Sequence, residues 1–308
     1  MTSVSFVADG RCTRLNVVAL AACLAVSSAA EVSAWGPDGH RIVCRIAYQL
    51  LDGARQTEIR RLTATYRTPD RQSVGSFTDG CIFPDEARSK ARDNVPGWDR
   101  FDPFENWHFL NVPRTTRSVD ESHCHGNCVL TGIAHHAAAL TTASTDRDRA
   151  EALFFLGHWI GDVHQPLHIS YVDDRGGNDI KPINGGFYAS SNLHAVWDSG
   201  IIAKAVGVNG WRIYADRLAR AITPGERAAW IGGQAISWAQ ESYSVTIGPN
   251  VRYCTWREVN GTSTCVSIPG ARTLTRPYQT EFQDDVELRL KQAGARLADL
   301  LRRQISVP

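Results

Sequence analysis

No stretch of this 308-residue sequence is apolar for the roughly 20 residues that a membrane-spanning helix requires. The run from Val17 to Val26 is the nearest approach and stops well short, so no membrane role is expected. Net charge is also nearly absent, because 33 Lys and Arg stand against 32 Asp and Glu to give +1. That balance excludes a basic coat for duplex DNA and an acidic tail, so any nucleic-acid partner must be gripped locally. Sustained strand-like alternation is scarce, and neither an internal repeat nor a low-complexity linker interrupts the chain. A single domain is expected.

What is present begins at the N-terminus. Arg11 and Arg14 precede the apolar run, which turns small toward Val32-Ser33-Ala34, the pattern of a signal peptide with its cleavage site. Residues 1–34 are therefore read as a removed export signal and residues 35–308 as the mature domain, secreted or periplasmic. Cleavage after Ala34 makes Trp35 the first residue, with a free α-amino group. Of eight cysteines, Cys12 and Cys23 leave with the signal and six remain, an even number that suits three disulfides in an oxidising compartment. Proximity in sequence favours Cys124 with Cys128 and Cys254 with Cys265, leaving Cys44 for Cys81, although sequence alone permits other pairings. Nothing implies a stable protein partner, and a monomer is expected. Asn260 heads a glycosylation sequon.

Apolar residues recur at helical spacing in "HRIVCRIAYQLL", "ALFFLGHWIGDVHQPL", "WRIYADRLARAI", "RAAWIGGQAISWAQES" and "TEFQDDVELRLKQAGARLADLLRRQI". The fold class is accordingly all-α, with "RYCTWREV" as a short hairpin arm. Turn-forming residues gather at 69–103 and 171–192, loops long enough to be functional.

The chemistry concentrates in "LGHWIGDVHQPLH". On a helix His158 and Asp162 share one face, one turn apart, where two side chains can meet one ion. Pro166 ends that helix and His168 follows. The same spacing returns in "NLHAVWD", where His194 and Asp198 lie four apart. Buried imidazoles and carboxylates must be paired, and zinc pairs several at once. A lone histidine on an apolar face is better read as a hydrogen-bonded core residue, but these five together point to metal. His164 falls on another face and reads as a supporting or structural histidine. His123 and His125 in a polar loop, and His135 and His136 in "GIAHHAAAL", read as surface or helix residues.

The ordered motifs "WGPDGH", "FPDEAR", "WHFLN", "GHWIGDVHQPLH", "GGN" and "NLHAVWD" resemble those of the secreted zinc-dependent single-strand nucleases and 3′-nucleotidases, the type I nuclease family that includes mung bean nuclease. The resemblance runs from Trp35 to Asp198. It implies a mainly helical fold related to the zinc phospholipases C, with three zinc ions in a cleft. One zinc would be held by Asp85, His108, His158 and Asp162, and a second by His168, His194 and Asp198. The third would take the α-amino nitrogen and carbonyl oxygen of Trp35, together with His40 and a bridging Asp162. The resemblance further implies that Arg88 clamps a phosphate, that Asp85 orients the attacking water, and that Phe109 stacks a base. The expected substrates are single-stranded DNA and RNA and 3′-mononucleotides, cut to 5′-phosphorylated products. Asn111, where several relatives carry an acidic residue, and Ser199, where an asparagine is common, are the candidate base-edge contacts and depart from the pattern. Two rivals stand beside this reading: a zinc phospholipase C, and an exported zinc-binding protein without catalysis.

Overall fold

The computed structural model of the chain describes residues 35–181, 192–267 and 276–306. The expected signal, residues 1–34, and part of the expected loop at 171–192 lie outside them.

The centre of the molecule is helix α6 (Asp146–His164), and its sequence explains its place. Thr145 caps it by accepting the Asp148 N–H at 3.1 Å, and Asp146 and Asp148 complement the positive end of the helix dipole. Every residue from Ala152 to His164 is buried, the pattern of a helix surrounded on all sides. Around it pack α1 (Pro37–Gln49), α2 (Gly53–Thr65), α4 (Phe83–Arg92), α5 (Val129–Thr142), α11 (Ala235–Thr246) and α13 (Gln283–Gln304), with the four-residue α3 (Phe77–Gly80) leading into α4. The outer shell is completed by α7 (Leu193–Ala195), α8 (Ile201–Val206), α9 (Gly210–Ala221), α10 (Pro224–Trp230) and α12 (Arg276–Glu281). Sheet is confined, among the described residues, to two small pairs. Strands β1 (Leu110–Val112) and β2 (Ile169–Tyr171) run parallel, and β3 (Cys254–Val259) and β4 (Thr262–Ser267) form an antiparallel hairpin. The fold is all-α, as expected.

The approach of α1 to α6 is set by two glycines one turn apart. A Cβ on Gly157 would lie 2.7 Å from Cys81 Sγ and 2.8 Å from Cys44 Sγ, and one on Gly161 would lie 2.7 Å from His40 Nδ1. Cys44 and His40, themselves one turn apart on α1, thus fit into notches where α6 has no side chains. The Cys44–Cys81 disulfide fastens α1 to the turn before α4 at the same level. The other two disulfides join Cys124 to Cys128 and Cys254 to Cys265, so all three follow the pairing favoured by proximity.

Two expectations need correction. "RAAWIGGQAISWAQES" is not one helix: Gly232 (φ +80°) and Gly233 (φ +72°) take the left-handed region and separate α10 from α11. The stretch 69–103 is not merely turns, since it contains α3, α4 and a 3-10 helix at Asp99–Phe104. The short parallel pair β1–β2 was not anticipated. Three-residue strands carry too little pattern to be read.

Candidate metal centre

Five segments converge on the C-terminal half of α6. α6 supplies His158 and Asp162 from one face. The start of α1 brings His40 through the notch at Gly161. The first turn of α4 brings Asp85, a position where a carboxylate suits the helix dipole. His108 precedes β1, and the 3-10 turn Pro166–His168 delivers His168. His194 lies on α7, and Asp198 on the π-helical turn Val196–Gly200 that continues it.

The donor atoms fall into three groups, each with all atoms within 4.8 Å of one another: His40, His158 and Asp162; Asp85, His108 and His158; and His168, His194 and Asp198. Asp162 links the first two. Its Oδ1 lies 3.4 Å from His40 Nε2, while its Oδ2 lies 3.2 Å from His158 Nε2 and 3.3 Å from His108 Nδ1. In the third group His194 Nε2 is 3.2 Å from Asp198 Oδ2. Backbone carbonyls fix three of the imidazoles. His158 Nδ1–H donates to Cys81 O at 2.8 Å, His168 Nδ1–H to His108 O at 2.6 Å, and His194 Nδ1–H to Gly176 O at 2.7 Å. Each ring therefore turns Nε2 toward the cluster, the tautomer a metal requires.

Both ring nitrogens of His40, both oxygens of Asp162, and Nε2 of His168 and of His194 are buried without a hydrogen-bond partner. Buried polar atoms are almost always satisfied, and a set of this size around one point is the imprint of cations. The residues present fit a metal cluster.

The electrostatics agree. Burial pushes His40 and His108 well below the usual imidazole range and lowers His168 and His194. Burial thus favours the neutral form of those rings, the form that ligates a metal. Burial also lowers His158, but the Asp162 and then the Asp85 carboxylates outweigh it and raise the ring. Asp162 is raised by burial, and Asp198 is pushed up to about 7 by the same cause. Carboxylates so placed need positive charge nearby to stay ionised, which bound divalent ions supply.

Trp35 is fully buried at the entrance to α1. Its Cβ lies 2.6 Å from where a Cβ on Gly39 would be, and the next N–H, of Gly36, donates to Asp198 O at 2.8 Å. The segment at Trp35 and Gly36 is thereby anchored beside Asp198, a member of the third group. Arg88 and Phe109 are brought together, with the guanidinium 5.8 Å from the ring centroid and its Nε buried without a partner. Asn111, on β1 opposite Ser170, has its Oδ1 buried without a partner. Ser199 is exposed, and its hydroxyl faces Gly36.

The remaining histidines stand outside the three groups. His164 Nε2 accepts from Arg296 at 2.8 Å, and its Nδ1–H donates to Ile160 O at 2.7 Å. His136 stacks on Phe155 and accepts the Trp159 indole N–H at 3.0 Å, while His135 is exposed. His123 Nδ1 accepts the Asp120 N–H, and His125 takes a left-handed turn conformation, φ +49°. Sequence reading missed Gln165, whose amide donates to Asp198 Oδ1. It also missed Gly157, Gly161 and Gly176, whose roles depend on what other segments place beside them.

The S1/P1 Nuclease family model matches residues 35–306 of the chain. Endonuclease 5 of Arabidopsis thaliana is 29% identical over 292 residues, which cover 88% of this chain and 90% of the relative. Nuclease P1 of Penicillium citrinum is 26% identical over 281 residues, covering 86% and 96%. Nuclease S1 of Aspergillus oryzae is 25% identical over 211 residues, covering 65% and 68%. These are type I single-strand nucleases, the family inferred from the six motifs.

Proposed function

The chain belongs to the S1/P1 nuclease family, which makes it a phosphodiester-cleaving enzyme acting on nucleic acid, and from that premise we propose a zinc-dependent endonuclease for single strands. It cuts single-stranded DNA and RNA to 5′-phosphorylated products and removes phosphate from 3′-mononucleotides. The observation that carries this reading is the set of buried, partnerless imidazole and carboxylate atoms beside the Arg88–Phe109 pair.

Three zinc ions suit the donors. Asp85, His108, His158 and Asp162 would hold one, and His168, His194 and Asp198 a second. His40, Asp162 and the backbone of a processed Trp35 would hold the third. Bound there, zinc supplies Lewis acidity that activates water near neutral pH and offsets charge on the departing 3′ oxygen. Arg88 presents a planar fork to the phosphate oxygens, and because burial lowers its pKa it gains from an anionic partner. Asp85 orients the incoming water. Phe109 offers a face on which an unpaired base stacks, which favours single strands without a basic surface. Asn111 and Ser199 remain candidates for the base edge.

We propose that the enzyme is secreted or periplasmic, with residues 1–34 as the signal and residues 35–308 as a monomeric domain. Three disulfides support the location, and a family match that starts at Trp35 supports the domain boundary. The test is metal content per mature chain together with hydrolysis of single-stranded and duplex substrates. Three zinc ions, preference for single strands and 5′-phosphate ends are expected. Equal rates on duplex, or 3′-phosphate ends, sink the proposal. Faster hydrolysis of phosphatidylcholine would favour the phospholipase reading, and zinc bound without hydrolysis the non-catalytic one.

A further inference from the structure

We propose that Gln165 is a positioning residue that holds Asp198 and His168 in the geometry of one metal site. Gln165 is completely buried between the end of α6 and the turn that carries His168. All four of its polar groups are used. Its backbone N–H donates to Asp162 O at 3.0 Å, and its backbone carbonyl accepts the His168 N–H at 3.1 Å. Its side-chain Oε1 accepts the Leu167 N–H, and its Nε2 donates to Asp198 Oδ1.

The second pair fixes the amide's direction. With Oε1 committed to a backbone donor, only the NH2 end can face Asp198, and a carboxylate there can only accept. Gln165 thereby occupies Oδ1 and leaves Oδ2 as the oxygen turned to His194 Nε2, 3.2 Å away. The same side chain caps the turn that aims His168, whose Nε2 is 3.7 Å from Asp198 Oδ1. One residue joins two segments thirty-three positions apart, and both deliver donors to the same group. A leucine or methionine would fill the volume equally well, so the amide is explained by what it orients and not by packing.

The proposal rests on the metal-dependent reading above. Its test compares Gln165→Glu, which keeps the acceptor for Leu167 but loses the donor, with Gln165→Met, which keeps volume and loses both. Zinc affinity is measured by chelator competition on the mature protein, with cobalt spectra to report site geometry and circular dichroism on the metal-free form. One ion should weaken about 10- to 100-fold in each variant while the others are unchanged, the scale typical of outer partners of metal ligands. In an Asp198→Asn background, Gln165→Glu should add little, because both changes act through the same oxygen. Unchanged affinities and cobalt spectra in both variants overturn the proposal. Collapse of the metal-free fold in both variants overturns it too, by making Gln165 a residue of the core. Failure of the unmodified protein to bind zinc would instead overturn the metal reading itself.

Discussion

Asp162 is the residue on which most depends, because its two oxygens face His40 on one side and His108 and His158 on the other. Replacing it with Asn removes one charge from a site meant for several divalent ions, so kcat/KM on single-stranded DNA should fall by more than about 100-fold, beyond the effect of an outer partner. Metal content should fall in the same variant, and retention of three zinc ions with near-normal turnover would refute the shared role. Phe109→Ala should act differently. Stacking is worth about 1–3 kcal/mol per base, so KM for oligonucleotides should rise about 5- to 150-fold with kcat little changed. A loss confined to kcat in steady-state kinetics would contradict the stacking role. The His158–Asp162 and His194–Asp198 pairs were legible because four-residue spacing becomes a shared face whenever the chain coils, and the second pair meets even though Asp198 lies in a π turn. Gln165 and the Gly176 carbonyl were not legible, since their partners come from elsewhere in the chain and leave no local pattern.

At the scale of elements, the site depends on how closely α1 can lie on α6. Gly161→Ala would place a methyl 2.7 Å from His40 Nδ1, and the His40 ring is fully buried and stacked on His158, so it has little room to give way. The expected cost is about 1–3 kcal/mol of stability, together with weaker binding of the ion that His40 serves. Denaturant unfolding and zinc titration measure the two effects, and a variant that lost neither would show the notch to be slack. Helices such as α1, α9 and α13 were visible from periodicity because each buries one stripe, and α6 because it buries its whole circumference. α4 escaped notice because "SKAR" is polar, and capping charges with a few buried residues, Phe83, Ala87 and Ala91, sustain it. Helix α4 nonetheless carries Asp85 and Arg88, so a stretch read as turns supplies two of the residues that matter most.

For the whole molecule, the proposed ions join α1, α4, α6, the strand entry at His108 and the α7 turn, so removing them should loosen the packing of these segments around the cluster. Chelation should abolish activity and lower Tm together, because ions bound only by the folded state add stability by mass action. The pH dependence has a definite sign. In the metal-free protein Asp198 is raised to about 7, so its contribution to stability is complete below the ordinary carboxylate range and is lost as pH rises through that value. The lowered histidines act in the opposite sense. Their neutral folded form contributes above the ordinary imidazole value and is lost as pH falls below it. Zinc must displace the proton of Asp198 and that favoured on the raised His158, while burial favours the neutral form of the other ligating histidines, so the Tm gained on adding zinc should grow as pH rises from about 6 to about 8 and shrink on acidification. Calorimetric scans with and without zinc across that range decide the matter. A zinc-induced shift that is independent of pH, or that increases toward acid, would mean that Asp198 carries no proton to displace.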